Sequence, residues 1–173
     1  MKTFEAITTR NSCRVFIDKP VAEELTERLI LAANAAPAAS HDYSVIKLTV
    51  VQNKELLTEI DSATAHGLPP LGDHPTFNAQ TLMIISVKLN DKFPMVGYCN
   101  ASVAAENIMI MANDLGLSSV FLMGVPVVMQ KKTELLEKLN IKDGFLPVVV
   151  VAVGYAKTPN PNVKPQRLKV ERF

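Results

Sequence analysis

Thr9-Arg10-Asn11-Ser12-Cys13-Arg14 decides how this chain is read, because six consecutive residues gather two guanidinium groups, one amide and two hydroxyls. In an extended backbone alternate side chains face opposite ways. Arg10, Ser12 and Arg14 then project from one side, and Asn11, Cys13 and Val15 from the other. Two guanidinium forks flanking a hydroxyl suit a phosphate monoester, which accepts several charge-assisted hydrogen bonds. The competing reading of two nearby arginines is a solvated surface face, and local chemistry does not separate the two.

The composition narrows the setting. With 173 residues and 48% apolar side chains, the chain suits one domain, residues 1–173, with a substantial core. The formal charge is +1 and no basic tract interleaves with aromatics, so neither nucleic acid nor an anionic membrane is expected as a partner. Met1-Lys2-Thr3-Phe4-Glu5 carries no signal-peptide hydrophobic run, and the longest apolar stretch, residues 148–153, is too short to span a bilayer. A cytoplasmic location is expected. Cys13 and Cys99 lack CxxC spacing and the three histidines are scattered, so no metal site is expected and both thiols read as reduced packing residues.

Outward from the opening stretch, residues 3–9 form a short helix with Phe4 and Ile7 on one face, delivering Arg10 at its carboxyl end. Asp18 and Pro20 signal a second helix start, and Leu25, Leu29, Ala32, Ala33 and Ala36 make its stripe until Pro37 stops it. The late alanines fit the close approach of a flat ligand or of another helix equally well. Ile46, Leu48 and Val50 alternate as in a strand, and Asn53 caps a helix carrying Leu56, Leu57, Ile60 and Ala63. The Gly- and Pro-rich residues 66–77 form a loop, either a pocket rim or a plain connector, in which the spacing of His66 and His74 shows no cooperation.

Thr81 begins a buried strand ending at Val87. Ala101, Ala104, Ala105, Ile108, Met111, Ala112 and Leu115 mark the clearest helix, closed by Gly116 as a left-handed cap. A strand from Ser118 enters Gly124-Val125-Pro126, a helix is expected over residues 130–139, and residues 146–153 read as a strand covered on both faces. The tail from residue 157, with Pro159, Pro161 and Pro165, is either disordered or laid across a partner.

Several blocks in this order resemble the nitroreductase-like flavoproteins. They are Arg10-Asn11-Ser12-Cys13-Arg14-Val15-Phe16 with Asp18-Lys19-Pro20-Val21, then Ala35-Ala36-Pro37-Ala38-Ala39, then Ala104-Ala105-Glu106-Asn107-Ile108-Met109. Leu115-Gly116-Leu117-Ser118-Ser119, Gly154-Tyr155 and Lys164-Pro165 continue the series over nearly the whole chain. The resemblance implies an α+β fold: a three-layer sandwich with a mostly antiparallel central sheet flanked by helices, forming an intertwined homodimer with two FMN sites at the interface. It also implies that Arg10, Asn11, Ser12 and Arg14, joined by Lys164 and Arg167 from the tail, hold FMN at its phosphate end. Pro37, Ala38, Ala39 and His41 are then expected to contact the flavin, with the backbone of Met123 and Gly124 near its reactive edge.

The activity so implied is an FMN-dependent NAD(P)H oxidoreductase, taking electrons from NADH or NADPH and reducing a small electron-poor acceptor such as a nitroaromatic or quinone by a ping-pong route. No catalytic side chain is assigned, because the cofactor carries the chemistry. The chain departs from the family pattern at His41, where asparagine is usual, at Tyr43-Ser44-Val45, where glutamine, proline and tryptophan are usual, and at Asn100, often acidic in relatives. Imidazole offers one hydrogen bond per ring nitrogen and lacks the paired donor and acceptor of an amide. Three alternatives therefore stay open: an FMN carrier or interaction protein with little turnover, another flavin reaction (dehalogenation, ene reduction, dehydrogenation), and a cofactor-free structural dimer.

Overall fold

The computed structural model describes residues 2–67, 72–159, 163–165 and 168–173. Its centre is a pair of strands, β2 (Thr81–Val87) and β4 (Leu146–Gly154), both apolar along almost their whole length. β1 (Ile46–Val51) adds outside β2 and β3 (Ser118–Leu122) outside β4, giving the order β1-β2-β4-β3 with every neighbouring pair antiparallel. The period of two sorts the side chains. Met83, Ile85, Val151 and Val153 enter one core, and Leu82, Ile84, Val150 and Ala152 the other. Helices α2 (Glu23–Asn34) and α4 (Pro94–Asp114) close the first core; α3 (Lys54–Thr64), α5 (Gly124–Met129) and α6 (Thr133–Lys138) close the second. This is the three-layer α+β sandwich implied by the sequence signature.

Pro147 sits in a central strand, where it cannot donate to the ladder. The register slips there: Ile85 pairs with Val149 but Ser86 with Pro147, so Val148 bulges and joins Val149 on the same face. β3 pairs only as far as Val150, so its ladder never calls on the missing N–H. The Pro147 carbonyl instead accepts from Gln130 Nε2 at 2.7 Å.

Some boundaries differ from the sequence expectation. α2 begins at Glu23, because the chain before it is held extended by Ile17 N–H donating to the Tyr155 carbonyl at 2.9 Å. α4 begins at Pro94, two turns before the alanine stripe. The helix expected over residues 130–139 is the shorter α6, and α5 precedes it, accommodating Pro126 in a first turn whose N–H groups have no helical partner. In α1 (Thr3–Thr9), Phe4 and Ile7 share a solvent-exposed face, while Ala6 and Thr9 are the buried positions.

Candidate functional site

Helix α1 ends where Arg10 turns extended, at φ −56° and ψ 128°. Ser12 then makes a parallel bridge to Ser119, with Cys13 N–H donating to the Ser119 carbonyl at 2.9 Å. Four residues on, Phe16 bridges Ala156, and Lys157 N–H donates to the Val15 carbonyl at 3.0 Å. The segment thus crosses from the outer edge of β3 to the chain leaving β4, covering an edge that would otherwise be open. A cavity of about 620 Å3 lies along it, lined by Arg10, Ser12, Arg14, Ser118, Ser119 and Lys157 among others.

The side chains here favour an anion. Ser12, Arg14 and Lys157 are exposed, whereas Arg10 is half-buried and donates from Nε to Glu106 Oε1 at 3.1 Å. Asn11 Nδ2 turns back to the Thr9 carbonyl at 2.7 Å and so helps shape the bend. Asn113 Nδ2 reaches the Ala6 carbonyl at 2.9 Å and Thr9 Oγ1 at 2.8 Å, pinning α1 to the end of α4. Gly116, at φ +73°, supplies the left-handed turn from α4 into β3, as its place in the sequence predicts. Lys164 N–H donates to the Thr8 carbonyl at 3.2 Å, so the tail returns to α1 beside the arginine segment. Arg167 lies outside the described residues.

The remaining sequence candidates stand elsewhere. Asn100 Oδ1 accepts from Ala39 N–H at 3.1 Å, holding residues 37–41 at the amino end of α4. Asn100 and Asn113 are thirteen residues apart on one helix, hence roughly 20 Å. None of Pro37, Ala38, Ala39 and His41 lines the cavity at Arg10. Ser40 and His41 have positive φ, 57° and 54°, and the His41 side chain is exposed. Tyr43 Oη donates to the Ala36 carbonyl at 3.4 Å, folding the loop back on the end of α2. Met123 and Gly124 follow β3 at its far end, Met123 roughly 13 Å along the strand from Ser119.

Glu106, Asn100 and Lys157 escaped the sequence reading as site residues. A signal for the helix was present: asparagine is disfavoured in helix interiors, yet α4 carries Asn100, Asn107 and Asn113. Each ties down a different upstream segment, Asn107 Nδ2 reaching the Ala32 carbonyl at 3.1 Å. None of the described part of residues 66–77 lines the arginine cavity. Buried Asp61 holds that loop against α3, accepting from Thr76 N–H at 2.9 Å and Thr76 Oγ1 at 2.5 Å, with His74 Nδ1 at 2.7 Å. Among the described residues no cluster could hold a metal ion, and no helix is long and apolar enough to cross a membrane.

Comparison with known proteins agrees with this geometry. The sequence model of the nitroreductase family matches residues 7–155. A Methanothermobacter thermautotrophicus protein, provisionally named NADH dehydrogenase/NAD(P)H nitroreductase, is 29% identical over 178 residues, spanning 100% of this chain and 88% of its own length. An Archaeoglobus fulgidus protein of the same provisional name is 32% identical over 152 residues, covering 87% of this chain and 83% of that protein. The crystal structure of a nitroreductase with bound FMN from Desulfitobacterium hafniense superimposes with a TM-score of 0.87 at 20% identity, covering 100% and 99% of the two chains. By sequence over most of its length and by its three-layer architecture, this chain belongs to the nitroreductase family.

Proposed function

We propose that the protein is an NAD(P)H-dependent FMN oxidoreductase working as a homodimer. The observation that carries this reading is the cavity at the start of β3, where Arg10, Ser12, Arg14 and Lys157 meet with Lys164 returning to the same corner. A phosphate monoester fits that donor set: guanidinium forks, an ammonium and hydroxyls, with no carboxylate among the described lining residues and Glu106 paired to Arg10. Arg10, Ser12, Arg14, Lys164 and Arg167 would hold the phosphate, with Asn11 shaping the bend. Met123 and Gly124, on the same protomer, would lie towards the ring.

FMN, when bound, supplies two-electron hydride chemistry between NADH or NADPH and an electron-poor acceptor such as a nitroaromatic or quinone. The chain's part is to bind, orient and exclude water, with donor and acceptor visiting one pocket in turn. No acid, base or nucleophile is needed from a side chain. Pro37, Ala38, Ala39 and His41, which do not line the Arg10 cavity, would serve the site whose phosphate anchor lies on the other protomer. Unpartnered apolar surface supports that pairing: Phe4, Leu31 and Val103 are exposed on α1, α2 and α4, and a groove of about 340 Å3 runs between these helices beside Ile110.

The deciding experiment is an absorption spectrum of the purified protein after FMN addition and desalting, followed by anaerobic NADH and NADPH. Retained flavin that bleaches with either donor is expected. Retained flavin that does not bleach would favour a carrier, a reading to which the exposed His41 in the family's asparagine position lends weight. No retained flavin would overturn both.

A further inference from the structure

We infer that Glu106 is a positioning residue: its carboxylate fixes the Arg10 guanidinium so that the two Nη groups face the cofactor phosphate. The inference rests on the FMN reading and adds a role for a residue on a different element. Arg10 follows α1, Glu106 lies mid-way along α4, and Arg10 Nε meets Glu106 Oε1 at 3.1 Å. The Arg10 side chain is 21% exposed and that of Glu106 41%, so the pair is partly withdrawn from solvent; Arg10 lines the cavity, and Glu106 is not among its lining residues.

A guanidinium has five N–H donors in a rigid plane and can meet an oxyanion by its Nε edge or by its Nη end. With Nε–H taken by Glu106, only the Nη end remains for an anion. Arg14, exposed four residues on, has no acidic partner among the described residues to fix it so. The two arginines therefore divide the work. Arg10 is preorganised by α4, whereas Arg14 supplies an exposed charge. A carboxylate beside a phosphate site costs attraction through its charge, and orientation of Arg10 has to outweigh that cost. The two effects have opposite signs on affinity, which makes them separable by experiment.

The test uses the full-length protein, with FMN and riboflavin as probes, in wild type, Glu106→Gln and Glu106→Ala. Gln keeps an oxygen for Arg10 Nε and removes the charge. Positioning predicts that Glu106→Ala weakens FMN about tenfold, leaves riboflavin within about twofold, and that Glu106→Gln recovers most of the loss. In parallel, the Arg10 Nε–H resonance should stay shifted and slowly exchanging in wild type and Gln, and join the free arginines in Ala. Tighter or unchanged FMN binding in both variants would overturn the inference while leaving the cofactor reading intact. Equal losses for FMN and riboflavin would assign Glu106 a purely structural role and also overturn it. Wild type that binds neither flavin would overturn both together.

Discussion

The side chain of Asn100 and the backbone of Ala39 are joined by a hydrogen bond of 3.1 Å that holds the 37–41 loop to the first turns of α4. Asn100 is buried, and its Nδ2 finds no partner among the described residues. Asn100→Ala should destabilise the fold by about 1 kcal/mol, the net worth of one such bond. Urea unfolding measures the loss, and hydrogen exchange should show the Ala39 amide released from protection. Unchanged exchange at Ala39 would mean that the loop is held by its own turns.

Arg14→Ala removes an exposed guanidinium from the arginine cavity without touching the core. FMN affinity should fall by about 1.5 to 3 kcal/mol, the range for hydrogen bonds to charged groups. Titration of flavin fluorescence reads this directly, with circular dichroism unchanged. Undiminished affinity would remove Arg14 from the anchor.

Asp61→Ala tests the loop at residues 72–78 separately from the cofactor site. Its carboxylate satisfies the buried N–H and hydroxyl of Thr76 and meets His74. Leaving those groups unpaired should cost about 2 to 3 kcal/mol in a thermal or urea melt. FMN affinity should remain within about twofold, since the residue lines a different cavity. A matching loss of FMN would show that the loop reaches the site after all.

Ile110→Lys places a charge in the apolar groove between α1, α2 and α4. If this face joins two protomers, sedimentation should show monomer, and flavin retention should fall in parallel because residues 37–41 lose their place. A monomer that retains FMN normally would refute the shared site.

The sequence reading recovered most of the strands and helices for identifiable reasons. Residues 81–87 and 146–153 are apolar on both faces, which only a strand covered by two helical layers tolerates. Gly116 and Asn53 announced a helix end and a helix start, and both act so: Gly116 adopts a positive φ and Asn53 Oδ1 accepts from Leu56 N–H at 3.0 Å. Helix α5 was missed because Pro126 reads as a breaker unless it falls in a first turn, where no helical N–H bond is lost.

At the site the sequence by itself determined the residue types: two arginines and a serine on one side of an extended run, followed far downstream by a basic tail. Alternation along a strand is local, so six residues sufficed to show it. Tertiary structure alone decided which groups share space. It put Glu106, 96 residues away in the chain, against Arg10, brought Lys157 and Ser119 into the same cavity, and set residues 37–41 at the opposite end of α4. Such pairings depend on how a helix packs across a sheet, and no pattern within a single segment encodes that distance.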